Sequence, residues 1–219
     1  NFDSQSSHHL LQLITQGPRF IGSEYYNKTI NTILLSLTKL SSRKKKNISF
    51  HFSINNGNFT ATSGHKILHF QSQIRNIVVT LSPTNNNTKP PLIFSAHIDS
   101  HANTPGSYDD AINVAIMHGI IKTIMESDIS INNPIIFVFL GSEEMGLHGS
   151  QLFMRDHSYL NGSVLNLESL GTKRPFGLIW KAHKSSSVVK AFSKTRGSLI
   201  ATFFSDVVRL NLLKSRTDL

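Results

Sequence analysis

The sequence predicts an α/β fold with a largely parallel central sheet, and three observations support this fold class. From about residue 76 onward, segments typical of strands alternate with segments typical of helices. Residues 135–140 form a continuous apolar run, which is typical of a strand buried on both faces of a sheet. Three predicted strands run into acidic or imidazole residues, at the carboxyl ends where parallel sheets form their sites.

Two helices are predicted at the start of the chain. Residues 10–14 supply an apolar helix face, and Gly17-Pro18 ends that helix. Ser23 is the expected N-cap of a second helix, in which apolar residues between 30 and 37 recur at helical spacing. The basic run Arg43-Lys44-Lys45-Lys46 is expected to end the second helix as a solvated loop.

The remaining predicted elements are strands with two intervening helices. Alternation of apolar and polar residues over 48–54 predicts a half-buried strand. Further strands are predicted at 77–81, 92–96, 135–140, 164–167 and 176–180, and helices at 111–126 and 147–157.

Composition limits the function classes. The 219 residues include 39% apolar and 16% charged residues, which indicates a globular chain. The formal net charge of +9 would suit an anionic partner, but no basic stripe interleaved with aromatic residues is present, so we expect no nucleic-acid partner. No apolar run reaches the roughly 18–20 residues of a membrane span. The absence of cysteine excludes disulfides and thiolate-bound metal.

Acidic residues and one histidine gather at the predicted strand ends. His97-Ile98-Asp99 follows one strand, Glu143-Glu144 follows another, and Glu168 follows a third, while Asp109-Asp110 opens a helix between the first two. Clustering this many carboxylates is electrostatically costly without cations. Imidazole and carboxylate ligands without thiolate suit zinc or a similar divalent ion. Adjacent glutamates suit a division between one metal ligand and one free general base.

Each of these motifs by itself has a simpler interpretation. Asp109-Asp110 could complement the positive end of a helix dipole, and Glu143-Glu144 could do the same for the next helix. Their joint placement favours a metal site over these separate explanations. His101 and His148 adjoin the motifs and are candidates for lining the pocket.

Three segments together resemble a known family. Residues 95–100 (SAHIDS), 105–111 (PGSYDDA) and 141–150 (GSEEMGLHGS) are similar to the zinc exopeptidases of the aminopeptidase Y family in clan MH, and within it to the endoplasmic reticulum metallopeptidase group. Gly17-Pro18-Arg19 and Asn166-Leu167-Glu168 resemble the same group. The resemblance implies a three-layer helix–sheet–helix fold with a mixed, largely parallel central sheet.

The resemblance also implies a mechanism, in which the enzyme removes N-terminal residues from peptides with a water bridged by two zinc ions. The implied roles are metal binding by His97, Asp109, Glu144 and Glu168, general base catalysis by Glu143, and orientation of His97 by Asp99. His97 and Glu168 would bind the first zinc and Glu144 the second, with Asp109 bridging both. We expect residues 1–219 to form a single peptidase-like domain that lacks its C-terminal part, because the family's last histidine ligand lies farther downstream.

Two alternative functions stay open. Glutaminyl-peptide cyclotransferases are similar in fold and in the His-x-Asp and Glu-Glu segments, but they use one zinc. The chain could also be an inactive peptidase-like binding module, because the last histidine ligand is absent.

The resemblance further implies the endoplasmic reticulum lumen, with membrane tethering through regions outside this chain; secretion is the second choice. Five potential N-glycosylation sequons fit such a location, at Asn27, Asn47, Asn58, Asn86 and Asn161. The expected partner is a peptide or protein substrate, and the sequence does not indicate an oligomeric state.

Overall fold

A computed structural model describes residues 4–63, 65–85, 89–157, 161–168 and 194. The strand predicted at 176–180 lies outside these residues. The single domain expected over 1–219 therefore stays a prediction. Among the described helices, none combines the length and apolar character that a membrane span requires.

The elements follow the predicted order. The helices are α1 (Ser4–Ile14), α2 (Glu24–Ser41), α3 (Ile112–Glu126) and α4 (His148–Asp156), and a π-helical turn (Ser107–Ala111) directly precedes α3. The strands are β1 (Ile48–Ser63), β2 (Lys66–Pro83), β3 (Leu92–His97), β4 (Ile135–Leu140) and β5 (Ser163–Asn166).

These five strands form one mixed sheet in the order β1-β2-β4-β3-β5. The pairs β1–β2 and β2–β4 are antiparallel, whereas β3 pairs in parallel with both β4 and β5. Strands β1 and β2 form a hairpin that is much longer than the predicted segments 48–54 and 77–81. The expected mixed sheet is confirmed, and its parallel part is the half that adjoins the predicted site.

The N-terminal helices begin and end as their sequence signals predict. The Ser23 side chain accepts a hydrogen bond from the backbone N–H of Tyr26 at 3.1 Å, which is the geometry of an N-cap. Helix α2 ends at Ser41, before the basic run. Lys45 in that run donates to three backbone carbonyls around the end of α3, those of Ile124, Ser127 and Ile129. The charge at this position therefore caps α3.

Apolar side chains cover both faces of the sheet, which gives three layers. Strand β4 alternates its buried side chains between the two cores, as the continuous run 135–140 predicts. Its Phe137 and Phe139 pack with α1, α2 and α3 in the larger core. Ile136, Val138 and Leu140 lie in a second cluster with Phe153 of α4. Because β3 is flanked by two parallel neighbours, the carboxyl ends of β4, β3 and β5 meet at one edge.

Candidate metal centre

His97 is the last residue of β3 and is almost fully buried. Its backbone N–H donates to Asp110 Oδ2 at 3.1 Å, and its Nδ1 lies 3.1 Å from the carbonyl oxygen of Asp99. A carbonyl oxygen only accepts, so Nδ1 carries a proton and donates it there. This contact fixes the ring and leaves Nε2 facing the carboxylates, as in metal-binding histidines.

Two carboxylates converge on that nitrogen. Asp109 Oδ1 lies 2.9 Å and Glu168 Oε1 lies 3.4 Å from His97 Nε2. One ligand atom from each of the three residues lies within 4.8 Å of the other two. Ligand atoms around a tetrahedral zinc are separated by about 3.3 Å, given metal–ligand distances of roughly 2.0–2.1 Å. The donor set and its spacing therefore fit zinc.

The charges in this cluster shift the titration of its members. Burial lowers the pKa of His97, but the adjacent carboxylates of Asp109, Asp99 and Glu168 outweigh burial and raise that pKa well above 6.5. The hydrogen bond from His97 lowers the pKa of Asp109, against the opposing effect of burial. Without a metal ion, a proton on His97 neutralises part of the negative charge that a cation would otherwise balance.

Asp110 is hydrogen-bonded to the backbone of His97 and lies beneath the cluster in the protein interior. It is fully buried, and burial raises its pKa well above the ordinary value for a carboxyl. Its Oδ2 accepts from the His97 backbone, and its Oδ1 accepts from the Asn113 side chain. The Asp109–Asp110 peptide bond is cis. These contacts tie the π-helical turn to the end of β3, beside the candidate ligand Asp109 that the turn presents.

Glu143 and Glu144 follow β4 in a tight loop that one carboxylate holds. Asp99 Oδ1 accepts from the backbone N–H of Glu143 at 3.0 Å, and Asp99 Oδ2 accepts from that of Glu144 at 3.1 Å. Ser142 enters the loop with φ of 66°, in the left-handed region. Glu143 Oε2 lies 4.0 Å from His97 Nε2, so the expected base borders the cluster.

The Glu144 side chain pairs with His101 and lies outside the three-ligand group. Its Oε2 lies 2.9 Å from His101 Nε2, and the His101 side chain is 65% exposed. Burial and the nearby Asp109 raise the pKa of Glu144, although His101 acts in the opposite direction. Asp109 and Glu144 therefore influence each other electrostatically, as neighbours at one site would.

The six residues expected at the site all lie at this edge of the sheet: His97, Asp99, Asp109, Glu143, Glu144 and Glu168. Some of them make contacts beyond those that their expected roles require. Asp99 was expected to orient His97; its carboxylate Oδ1 lies 3.7 Å from His97 Nδ1, and its two carboxylate oxygens also accept from the amides of the Glu143-Glu144 loop. His148 is buried, stacks on Phe59 and lies 3.3 Å from Ser142 Oγ. It therefore supports the same loop from the side of α4.

Known proteins that are similar to this chain include an endoplasmic reticulum metallopeptidase and two solved structures. The chain is 26% identical over 224 residues to human endoplasmic reticulum metallopeptidase 1, a match that covers 99% of this chain and 25% of that protein. The chain thus spans about a quarter of the length of this relative. Two solved structures are similar in fold, LapB from Legionella pneumophila and the glutaminyl cyclase of Porphyromonas gingivalis.

LapB is 18% identical with a TM-score of 0.68, and the match covers 89% of this chain and 52% of LapB. The glutaminyl cyclase is 17% identical with a TM-score of 0.59, and the match covers 81% of this chain and 63% of the cyclase. The sequence model of Peptidase family M28 matches residues 76–219, which include every residue of the centre described above. The chain belongs to peptidase family M28, a family of metal-dependent peptidases.

Proposed function

We propose that this chain carries the catalytic centre of a zinc-dependent exopeptidase of the aminopeptidase type. One observation carries the proposal: His97 Nε2 and carboxylate oxygens of Asp109 and Glu168 converge at a sheet edge that Glu143 borders. Membership of family M28 indicates a metal-dependent peptidase. The identity of the metal, the general base and the position of cleavage are what we propose here.

The residues fit two zinc ions in different degrees. His97, Asp109 and Glu168 would hold the first, with Nε2 as the nitrogen donor. Asp109 and Glu144 would share the second, in line with the mutual effect of their charges. When bound, the zinc ions would supply Lewis acidity at the scissile carbonyl and lower the pKa of the attacking water.

Glu143 would act as the general base. Its side chain is 12% exposed, and Asp99 fixes the position of its backbone. Its carboxylate would take a proton from the attacking water and return that proton to the nitrogen of the leaving amine. Asp99 holds the backbone amides of both glutamates, so Glu143 is positioned from the carboxyl end of β3, the same strand that presents His97.

A free amino terminus is the substrate group that this electrostatic environment favours. Four carboxylates lie close together at this site. Oxygens of Asp109, Glu143 and Glu168 lie within 4.0 Å of His97 Nε2, and the charge of Asp109 acts on the fourth carboxylate, that of Glu144. Bound zinc ions would balance much of this negative charge, and a substrate ammonium group would pair with carboxylate oxygens that the metal leaves free. By analogy with the human relative's name, we propose that the parent protein acts at the endoplasmic reticulum, on peptides or proteins.

The test is peptide hydrolysis by the zinc-loaded chain, with release of the N-terminal residue followed by mass spectrometry. We expect Glu143→Gln to lower kcat by about 100-fold to 10,000-fold, the usual contribution of a general base, and to leave zinc content unchanged. Glu24→Gln, at an exposed position on α2, is the matched control and should keep full activity. Equal activity of the Glu143→Gln variant would exclude this base.

A second candidate is a glutaminyl-peptide cyclotransferase with a single zinc. It is favoured by the structural similarity to a glutaminyl cyclase and by the compact three-residue cluster, which would hold one ion. A peptide with N-terminal glutamine separates the two functions. Ammonia release without cleavage of the peptide would favour the cyclase, whereas release of glutamine as a free amino acid would favour the peptidase. A folded chain that binds no zinc would indicate the inactive module.

A further inference from the structure

Arg19 is a fully buried arginine that lies immediately behind the candidate centre. An arginine is rarely buried unless every part of its guanidinium finds a partner. Here the partners are backbone carbonyl oxygens. Nε donates to Ile98 O at 2.7 Å, Nη2 donates to Gly106 O at 3.1 Å, and Nη1 donates to Pro105 O and, at 3.3 Å, to Ile14 O.

Three of these acceptors belong to the two ends of a single loop. Ile98 directly follows the metal-binding candidate His97, and Pro105-Gly106 lies three residues before Asp109. The guanidinium therefore bridges the start and the end of the segment that separates the two ligands. The planar, forked donor of arginine suits such a bridge, because one rigid group can reach both ends at once.

The backbone of Arg19 holds the middle of the same loop. Its N–H donates to Ser100 Oγ at 2.9 Å, and Ser100 Oγ lies 2.9 Å from the carbonyl oxygen of Thr104. Gly106 has φ of 55°, and a Cβ built there would lie 2.3 Å from Asp109 O and 3.2 Å from Arg19 Nη2. A side chain at position 106 therefore has no room, because Asp109 O and Ser100 Cβ of the loop lie too close and Arg19 Nη2 is also near.

The charge of Arg19 fits this position as well. Burial lowers the pKa of Arg19 to about 10, and the carboxylates of Asp99, Asp110, Asp109 and Glu144 act against that loss. The side chain therefore stays charged at neutral pH. Its positive charge lies behind a group of carboxylates while its hydrogen bonds go to the backbone, which leaves those carboxylates available for metal.

We propose that Arg19 is a positioning residue that clamps the loop between His97 and Asp109 and so sets the spacing of these two ligands before metal binds. This inference rests on the proposed function, because it assigns metal binding to His97 and Asp109. It adds a residue from the start of the chain, far from the segments that supply the ligands. The clamp acts through three carbonyl oxygens of the loop, so it should depend on the shape of the guanidinium and not only on its charge.

The variant that tests this is Arg19→Lys, which keeps the charge but replaces the fork with a single ammonium group. Arg43→Lys is the matched control, because the Arg43 side chain is 60% exposed and pairs with Glu126 at the surface. Two measurements are made on each 219-residue protein. The first is hydrogen exchange of the amides in residues 98–110 without metal, and the second is titration with Co²⁺, followed by its visible absorption.

We expect exchange in residues 98–110 to become at least about 10-fold faster in Arg19→Lys, while strands β2 and β4 keep their protection. Affinity for Co²⁺ should fall by about 10-fold to 100-fold, as for other residues that orient metal ligands, and the absorption band should change shape. Unchanged exchange in the loop and unchanged Co²⁺ affinity would overturn the proposal. Equally faster exchange in every element would also overturn it, because it would indicate a general structural role.

The design separates this inference from the proposed function. If the wild-type chain binds no Co²⁺, the proposed metal centre fails, and with it the metal-positioning role of Arg19. If Arg19→Lys does not fold, Ser100→Ala takes its place, because it removes the acceptor of the Arg19 backbone N–H and leaves the guanidinium intact. Ser100→Ala should speed exchange in the same loop and weaken Co²⁺ binding by a smaller factor; wild-type values for both would overturn the clamp.

Discussion

The two halves of the acidic site differ in how the described residues build them. Around His97, three ligand atoms from three different residues lie within 4.8 Å of one another. Around Glu144, the contact is with a single exposed histidine, His101, at 2.9 Å. The first half resembles a formed metal site, whereas the second is a pair whose electrostatic link to the first runs through Asp109.

The difference follows from the elements that present each half. His97 ends a central strand, and Glu168 lies two residues beyond the parallel neighbour of that strand, so strand pairing sets their separation. Glu144 lies in a loop after β4, and its backbone position depends on the carboxylate of Asp99. Ligands at the ends of paired strands are preorganised by the sheet, while a loop ligand needs further contacts to hold it.

The largest difference between the two halves is expected in zinc affinity, when a residue of the His97 half is removed. We expect His97→Ala to weaken zinc binding by more than about 100-fold, since even residues that only orient ligands cost 10-fold to 100-fold. Glu144→Ala should retain one zinc per chain, because the three-residue group stays complete. The measurement is elemental analysis after dialysis against buffers of set free zinc.

His51→Ala, at an exposed position on β1, controls for the loss of a histidine as such, and circular dichroism checks that each variant is folded. Equal loss of zinc from His97→Ala and Glu144→Ala would contradict the division into two halves. It would indicate instead that both glutamate and histidine ligands bind metal as one cooperative centre.

A smaller effect is expected from pH, and it is tested at the His97 half. The pKa of His97 in the folded chain is raised above 6.5 despite burial, so the folded state binds this proton more tightly than the unfolded state. Its contribution to stability is fully present below about pH 6.5 and is lost as pH rises through the raised pKa. The Tm of the metal-free chain should therefore fall by a few degrees from about pH 6 to about pH 9.

Zinc should reverse this trend. Because zinc must displace the proton from His97, the increase in Tm that zinc produces should grow with pH. The buried carboxyl of Asp110, whose pKa is also raised by burial, makes the metal-free chain lose stability with rising pH in the same direction. The His97→Ala variant tests the contribution of His97, whose charge also acts on the pKa of Asp110. A metal-free Tm that depends on pH identically in this variant and the wild type would show that His97 does not carry the effect.

The periodicity of apolar residues was sufficient to predict most of the strands and helices. The buried run 135–140 and the helical spacing after residue 111 correspond to β4 and α3 within a residue. The hairpin of β1 and β2 was underestimated, because residues 55–63 and 66–76 are largely polar or lack clear alternation. These segments are strands since they pair with each other in antiparallel register, a property that neither segment carries alone.

The candidate site was predictable where its proposed ligands lie at strand ends and unpredictable where distant residues support them. His97, Glu143 and Glu168 follow strands whose parallel order brings their carboxyl ends together. Arg19 contacts a loop that is 79 or more residues away along the chain, and Asp99 accepts from amides 44 and 45 residues away. Such contacts depend on how elements pack, and no local spacing in the sequence indicates them.

A further substitution sharpens the comparison at Asp99, which adjoins both halves. Asp99→Asn keeps one oxygen acceptor but turns an amide group toward a backbone N–H of the Glu143-Glu144 loop. The mismatch between two donors should displace this loop and lower kcat by about 10-fold to 100-fold. The zinc bound at His97 should stay, because the Asp99 group that holds the ring is its backbone carbonyl, at 3.1 Å from Nδ1.

Zinc content, kcat and KM are measured together, with Asp128→Asn at an exposed position as the control. A loss of zinc as severe as that of His97→Ala would mean that the Asp99 carboxylate acts mainly on the His97 ring, across 3.7 Å. Retained zinc with reduced kcat would instead assign the carboxylate to the base and the second metal ligand. The same substitution therefore decides which half of the site this carboxylate serves.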